Sequence, residues 1–319
     1  MNRSSRNTVL VAGSANLDFV VRAAHVPAPG ETVLGRDFAT FPGGKGANQA
    51  VACARAGDAP THMLLALGND TYAAPLEASL RDAGVVLQIV RAAQPTGTAF
   101  ICVADSAENA ITVAPGANHA LAPEHLSALD QVSCLLLQLE TPLPTVTAFA
   151  QRARAAGVRV ALNAAPAQAL PRELLDVLDV LIVNEGELAE IAQVHGDIGG
   201  ALARLEVPCV IVTLGARGAC ARVNGEFVVQ PGFRVTPIDT TAAGDTFCGA
   251  LVAALASEAD FASALRRACA AAALACTRLG AQSSIPTHDE VDAFLTAQPA
   301  PDAAARCELA LFCGVPYAD

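Results

Sequence analysis

The sequence predicts an α/β fold, with a mostly parallel central sheet between two helical layers (α/β/α) and a small separate β element. Short β-type runs alternate with helical runs along most of the chain, as in a parallel sheet whose strands are joined by crossover helices. Two segments, 17–42 and 96–114, break that alternation and read as extended chain outside the main sheet. The length, 319 residues, suffices for one large α/β domain with a substantial core, or for two domains.

Apolar runs at 8–14, 61–67, 132–138, 158–162, 179–183 and 208–213 are the strand candidates. Helical patterns fall at about 44–56, 72–83, 144–156, 186–194, 242–256, 260–278 and 288–296. Asn16 and Asp18 stand just beyond the first strand, where open α/β sheets place ligands, although an Asx turn would use the same residues. The stretch Gly43-Gly44-Lys45-Gly46-Ala47-Asn48 opens the first helix. It is not a P-loop, because no Ser or Thr follows Lys45 and the glycine spacing is wrong. Gly43 and Gly44 let backbone approach a ligand, and Lys45 and Asn48 add donors suited to sugar hydroxyls. A plain glycine turn before the helix is the alternative.

Glu140 lies at the end of the 132–138 run, with Pro142 offering a simple turn as the other explanation. Asn184 and Glu187 follow Val180–Val183 at the spacing of a capping box. Thr213, Gly215 and Gly218 follow the next strand, where the glycines serve either ligand approach or a tight turn into a hairpin at 219–229.

The most informative stretch is Asp239-Thr240-Thr241-Ala242-Ala243-Gly244-Asp245-Thr246-Phe247. Ala242, Ala243 and Gly244 form the first turn of the 242–256 helix, whose free N–H groups and dipole suit an anion such as a transferring phosphoryl group. Asp245 lies in the same turn, where a carboxylate can take a proton from an attacking hydroxyl. An ordinary N-terminal Asp complementing the dipole is the bland alternative.

Composition narrows the function classes. Twenty basic against 31 acidic residues give a net charge of −11, which argues against a nucleic-acid or anionic-membrane surface. The longest apolar stretches, such as Ala268–Ala275, fall well short of the roughly 18 residues of a membrane span. The run Thr8–Ala12 is too short for a signal-peptide core. Ten cysteines without C-x-x-C pairs argue against zinc and read as reduced thiols, so a cytoplasmic location is expected.

The 43–50 and 239–247 stretches together resemble the signatures of the ribokinase family, the phosphofructokinase-B type of sugar kinases. The likeness continues through Pro29-Gly30-Glu31-Thr32, Thr96-Gly97, Gln138-Leu139-Glu140, Leu162-Asn163-Ala164-Ala165-Pro166, Asn184-Glu185-Gly186-Glu187, Thr213–Gly218 and Gly280-Ala281-Gln282, in order, from about Val9 to Leu295. The resemblance implies a ribokinase-like fold, with a kinase domain at 1–16, 44–95 and 115–298 and a small β-sheet lid at 17–43 and 96–114. Two such lids often clasp, so a homodimer is implied.

It implies ATP-dependent phosphorylation of D-ribose at O5. Asp245 would be the base, Ala242, Ala243 and Gly244 the anion hole, and Asn16, Asp18, Gly44, Lys45, Asn48 and Glu140 the sugar contacts. Asn184, Glu187, Thr213, Gly215, Gly218, Gly244 and Cys269 would line the ATP site, with Asn184 at the phosphates and Glu187 ordering the water shell of Mg²⁺. A K⁺ activator would be held by Asp239, Thr241 and Ser284 and by carbonyls of Ala275, Arg278 and Gly280. Related kinases of deoxyribose, a ketohexose or a nucleoside remain the nearest alternatives, then a non-catalytic sugar-binding regulator. Cys269 departs from the polar residue that ribokinases often carry there. The tail 299–319 also departs from the family and is expected as a disordered end, although Leu309–Cys313 is apolar.

Overall fold

A computed structural model describes residues 7–106 and 108–316. The chain opens with β1 (Thr8–Ala12), leaves through β2 (Asn16–Ala23) and β3 (Asp37–Gly43), and returns by helix α1 (Lys45–Arg55) to β4 (Thr61–Leu67). Helix α2 (Ala73–Asp82) and β5 (Val86–Arg91) follow, then a second excursion, β6 (Gly97–Ala104) and β7 (Asn109–Ala114). Next come β8 (Val132–Leu137), α3 (Leu143–Ala155), β9 (Arg159–Asn163), α4 (Arg172–Leu175), β10 (Val180–Asn184), α5 (Glu185–Ala192) and α6 (Ile198–Arg204). The remainder is β11 (Cys209–Thr213), the hairpin β12 (Gly218–Val223) and β13 (Glu226–Pro231), then α7 (Ala243–Ala256), α8 (Phe261–Ala275), α9 (His288–Ala297) and α10 (Ala303–Cys313).

Nine strands form one sheet in the order β13-β12-β11-β10-β9-β8-β1-β4-β5, parallel from β11 to β5, with the hairpin antiparallel at one edge. Because strand side chains alternate between faces, the sheet divides the interior into two cores. Val9, Val11, Met63 and Leu65 pack under α1, α7 and α8, while Leu10, Leu64, Leu135 and Leu137 pack under α3, α5 and α6. The two excursions pair into a separate four-stranded sheet, β3-β2-β6-β7, in which only β2 and β6 run parallel.

Four elements differ from the sequence expectation, among them the single-turn helix α4, which lies in no expected helix. Strand β5 was not anticipated; it is an edge strand, only partly covered, and Gln88 interrupts its apolar run. Helix α6 was also missed, because Gly199 and Gly200 depress its propensity and the Asp197 carboxylate capping Gly200 N (2.8 Å) supplies what the composition lacks. The tail is a correction. Instead of a disordered end, residues 303–313 fold as α10, capped by Asp302 on Ala305 N (2.7 Å), and Leu309, Ala310 and Cys313 are buried in the core beneath β13. Those three apolar residues share one helix face, which gives the segment a surface to dock. Residues 1–6 and 317–319 of the expected boundaries lie outside the described residues.

Candidate active site

The C-terminal ends of the parallel strands and the start of α7 converge on one region. Ala242 takes the left-handed conformation (φ 60°, ψ 10°) as N-cap, a strained geometry for a residue with a Cβ. That twist sets Ala243, Gly244 and Asp245 as the first turn. The Ala243 N–H donates to the Thr240 carbonyl (3.2 Å). Asp245 is buried and accepts a hydrogen bond on each oxygen, from Asn48 Nδ2 and from Gln49 Nε2, both at 2.9 Å.

Helix α1 supplies those donors because it starts beside β1 and β2. Gly44, its N-cap, has φ 89°, and a Cβ there would lie 2.7 Å from Asn16 N, so backbone rather than side chain meets the end of β2. Glu140 sits at the α1 N-terminus, where its carboxylate accepts from Lys45 N (3.1 Å) and from Ser14 Oγ (2.6 Å). Asn16 accepts from Asn118 Nδ2 (2.7 Å), and Asn118 is tied back to Ala15 N (3.0 Å). Asp18, two residues along β2, is nearly covered. Burial first, then the charges of Glu140 and Asp245, push its pKa up to about 7. The Asp245 carboxylate, more than Glu140 or Glu187, raises the pKa of half-buried Lys45 and keeps it cationic.

On the other side of Asp245, a cavity of roughly 160 Å³ is lined by Lys45, Asn184, Glu187, Thr213, Gly244 and Asp245. Asn184 and Glu187 form a reciprocal capping box on α5 (2.8 Å each way), which pins both side chains. Burial raises the Glu187 pKa. An adjoining cavity of roughly 600 Å³ shares Thr213 and Gly244 and continues past Gly215, Gly218, Phe233 and Cys269. That volume suits a nucleotide-sized ligand. Burial pushes the Cys269 thiol up to about 12, so it forms a neutral, largely apolar wall.

The residues expected around a monovalent cation form a neighbouring loop pair. The Asp239 carboxylate accepts from Thr241 N and from Gly280 N, both at 2.9 Å, which joins the two loops. Ser284 Oγ donates to the Ala281 carbonyl (2.8 Å), and the Arg278 side chain turns to Glu290 (2.6 Å), leaving its carbonyl as the relevant group. The Ala275 carbonyl accepts from Arg278 N (3.3 Å). Carboxylate, hydroxyl and carbonyl oxygens are the donor types a hard cation takes.

Sequence reasoning passed over Ser14, Gln49, Asn118, Gln138 and Asn163, all of which have polar contacts within this region. Buried polar types inside recognisable motifs were the available signal for Gln49, Gln138 and Asn163; nothing local marks Asn118.

A carboxylate on the first turn of a helix, beside a half-buried lysine and a nucleotide-sized cavity on an α/β sheet, has the form of a phosphoryl-transferring kinase site. The comparisons agree: residues 6–288 match the pfkB family carbohydrate kinase, and the chain belongs to that family. It is 41% identical to a ribokinase of Haemophilus influenzae over 303 residues, covering 91% of this chain and 99% of that one. The fold is ribokinase-like. The crystal structure of a Thermotoga maritima ribokinase superposes with a TM-score of 0.84 at 38% identity, covering 91% of this chain and 99% of the other. An Arabidopsis thaliana ribokinase complexed with ribose and ATP gives 0.82 at 32% identity, covering 91% and 99%.

Proposed function

We propose that the chain catalyses the ATP-dependent phosphorylation of D-ribose at O5, releasing ADP and D-ribose 5-phosphate. The observation that carries this is the Asp245 carboxylate on the first turn of α7, flanked by Lys45 and the nucleotide-sized cavity. Asp245 takes the proton of the primary hydroxyl as its oxygen attacks the γ-phosphoryl group in line, and ADP leaves. The start of α7, at Ala242, Ala243 and Gly244, faces the charge that develops on the phosphoryl oxygens. Ala242 serves as the N-cap and the Ala243 N–H is already given to Thr240, so Gly244 supplies the open first-turn N–H. Asn16, Asp18, Gly44, Lys45, Asn48 and Glu140 hold the sugar, and Thr213, Gly215, Gly218 and Cys269 border the nucleotide.

Asn184 and Glu187 fit Mg²⁺ held mostly through water and phosphate, since no cluster of three or more His, Cys, Asp or Glu side chains among the described residues could hold a metal by itself. The ion, when bound, neutralises phosphate charge. Asp239, Thr241, Ser284 and the carbonyls of Ala275, Arg278 and Gly280 fit K⁺, which would stiffen the loop leading into α7. We assign the four-stranded sheet as a lid over the sugar and as the homodimer contact, and the cytoplasm as the location. No helix among the described residues is long and apolar enough to cross a membrane.

A panel of free sugars and nucleosides with coupled ADP detection tests the substrate. D-ribose should give the highest kcat/KM, with 2-deoxyribose weaker because a closed polar site loses a partner. A nucleoside or a ketohexose outcompeting ribose would overturn the assignment. In the same assay Asp245→Asn should lower kcat by about 10²–10⁴-fold. Turnover within tenfold of the parent would remove Asp245 as the base.

A further inference from the structure

A chain of three buried side-chain amides stands behind Asp245; Asn163 borders the 160 Å³ cavity, while Gln49 and Gln138 are not among the nucleotide or sugar contacts above. Gln49, on α1, is fully buried and its Nε2 donates to two acceptors, Asp245 Oδ1 and Asn163 Oδ1, both at 2.9 Å. Its Oε1 accepts from Gln138 Nε2 at 2.7 Å, and Gln138 is also fully buried. Asn163, at the end of β9, donates through Nδ2 to the Ile182 carbonyl of β10 (3.2 Å).

The last contact fixes the direction of the whole chain. A backbone carbonyl can only accept, so Asn163 must turn its NH₂ to Ile182 and its oxygen to Gln49. Gln49 must then present its NH₂ to Asn163 and Asp245, and its oxygen to Gln138. A flipped Gln49 would set a carbonyl against both a carboxylate and an amide oxygen. Gln138 in turn is confined: a Cβ at Gly13 would fall 1.9 Å from its Oε1. That Oε1 is buried with no hydrogen-bond partner among the described residues, a cost the fold carries to keep the Gln138 NH₂ on Gln49.

We propose that Gln49, oriented by Asn163 and Gln138, is a positioning residue for the phosphoryl transfer, fixing the rotation of the Asp245 carboxylate so that its open lone pairs meet the attacking hydroxyl. Asn48 holds the other oxygen, Oδ2, from the side assigned to the sugar. Gln49 holds Oδ1 from the protein interior, and so acts through Asp245 without touching either substrate. A carboxylate secured by one donor alone would swing about its Cβ–Cγ bond, and small misplacements of a reacting group are costly. Gln49 therefore governs the chemical step and leaves substrate binding nearly untouched. The inference rests on the kinase assignment, with Asp245 as base.

The test is steady-state kinetics on Gln49→Leu and Gln138→Met, with thermal melts on both. Gln49→Leu should lower kcat about 30- to 100-fold, while KM for ribose and for ATP stays within about threefold. Gln138→Met should show the same split at about three- to tenfold, because it acts one amide further back. A folded Gln49→Leu with kcat within threefold of the parent, or with its loss confined to KM, overturns the proposal. If Gln49→Leu does not fold, Gln138→Met decides, and a kcat within twofold of the parent overturns it. A parent protein that phosphorylates no sugar would instead refute the kinase assignment, and the two failures are thereby separated.

Discussion

At Asp18 the fold sets a carboxylate between β2 and β3, with Glu140 and Asp245 near enough to repel its charge. Its pKa rises from the ordinary 3.8 to about 7, chiefly through burial. Between those two values the folded chain holds the proton that the unfolded chain has lost. Asp18 therefore contributes stability below pH 3.8 that is lost as pH rises through about 7. Sugar hydroxyls donate best to the ionised form, so ribose KM should fall as pH rises through 7, and Asp18→Asn should flatten that slope and raise KM. A ribose KM independent of pH between about 5.5 and 8.5 would remove Asp18 from the sugar contacts. What the sequence revealed at this scale depended on locality. Asp245, Glu187 and Asn184 were legible because a helix start announces itself within four residues. The Gln49–Asp245 and Asn16–Asn118 contacts were not, since they join residues 196 and 102 positions apart.

Helix α10 and the Asp239 loop show how much the elements depend on what they pack against. The strands from 61–67 to 208–213 were legible because each is a continuous apolar run buried on both faces. The tail was misread because its three buried residues give too weak a pattern until β13 is in place. Its docking makes a prediction: Leu309→Ala should destabilise the protein by about 2–5 kcal/mol, read as a lower midpoint in denaturant. A midpoint unchanged by this substitution would mean that α10 is not docked in solution. The end of the helix also sets Phe312 against the Arg217 guanidinium, 4.3 Å from the ring centroid, in the turn that borders the nucleotide cavity. In the Asp239 loop, activity in K⁺ should exceed that in Na⁺ or Tris at equal ionic strength, through kcat or sugar affinity and with no change in preferred sugar. Asp239→Ala should abolish that response while leaving a basal rate. Equal rates in all three buffers, with protein first stripped of K⁺, would leave Asp239 as a tie between the loops only.

Over the whole molecule the four-stranded sheet is the part that stands out from the core, and its register determines what it exposes. Asp18, Val20, Ile101, Ile111 and Val113 lie on one face, because β2, β6 and β7 pair with Val20 opposite Ile101, and Ile101 opposite Ile111. Ile111 is 55% exposed and Val113 42%, so the face that begins at the buried Asp18 ends as bare apolar surface. The opposite face carries Phe19, stacked on Phe38 and Phe100 and set edge-on to Tyr72 of the main body, while Phe38 and Phe100 are themselves exposed. An apolar face of this kind is usually covered by a partner. A second copy presenting the same face would meet that need and close a symmetric pair, in line with the dimer proposed above. The chain should therefore sediment as a dimer at micromolar concentration. Ile111→Asp, which places a charge on that exposed apolar face, should yield monomers that keep their melting temperature. Since the same face carries Asp18, the monomer should also bind ribose more weakly while its ATP KM changes little. A parent chain that sediments as a monomer, or an Ile111→Asp variant that stays dimeric, would place the contact elsewhere or nowhere.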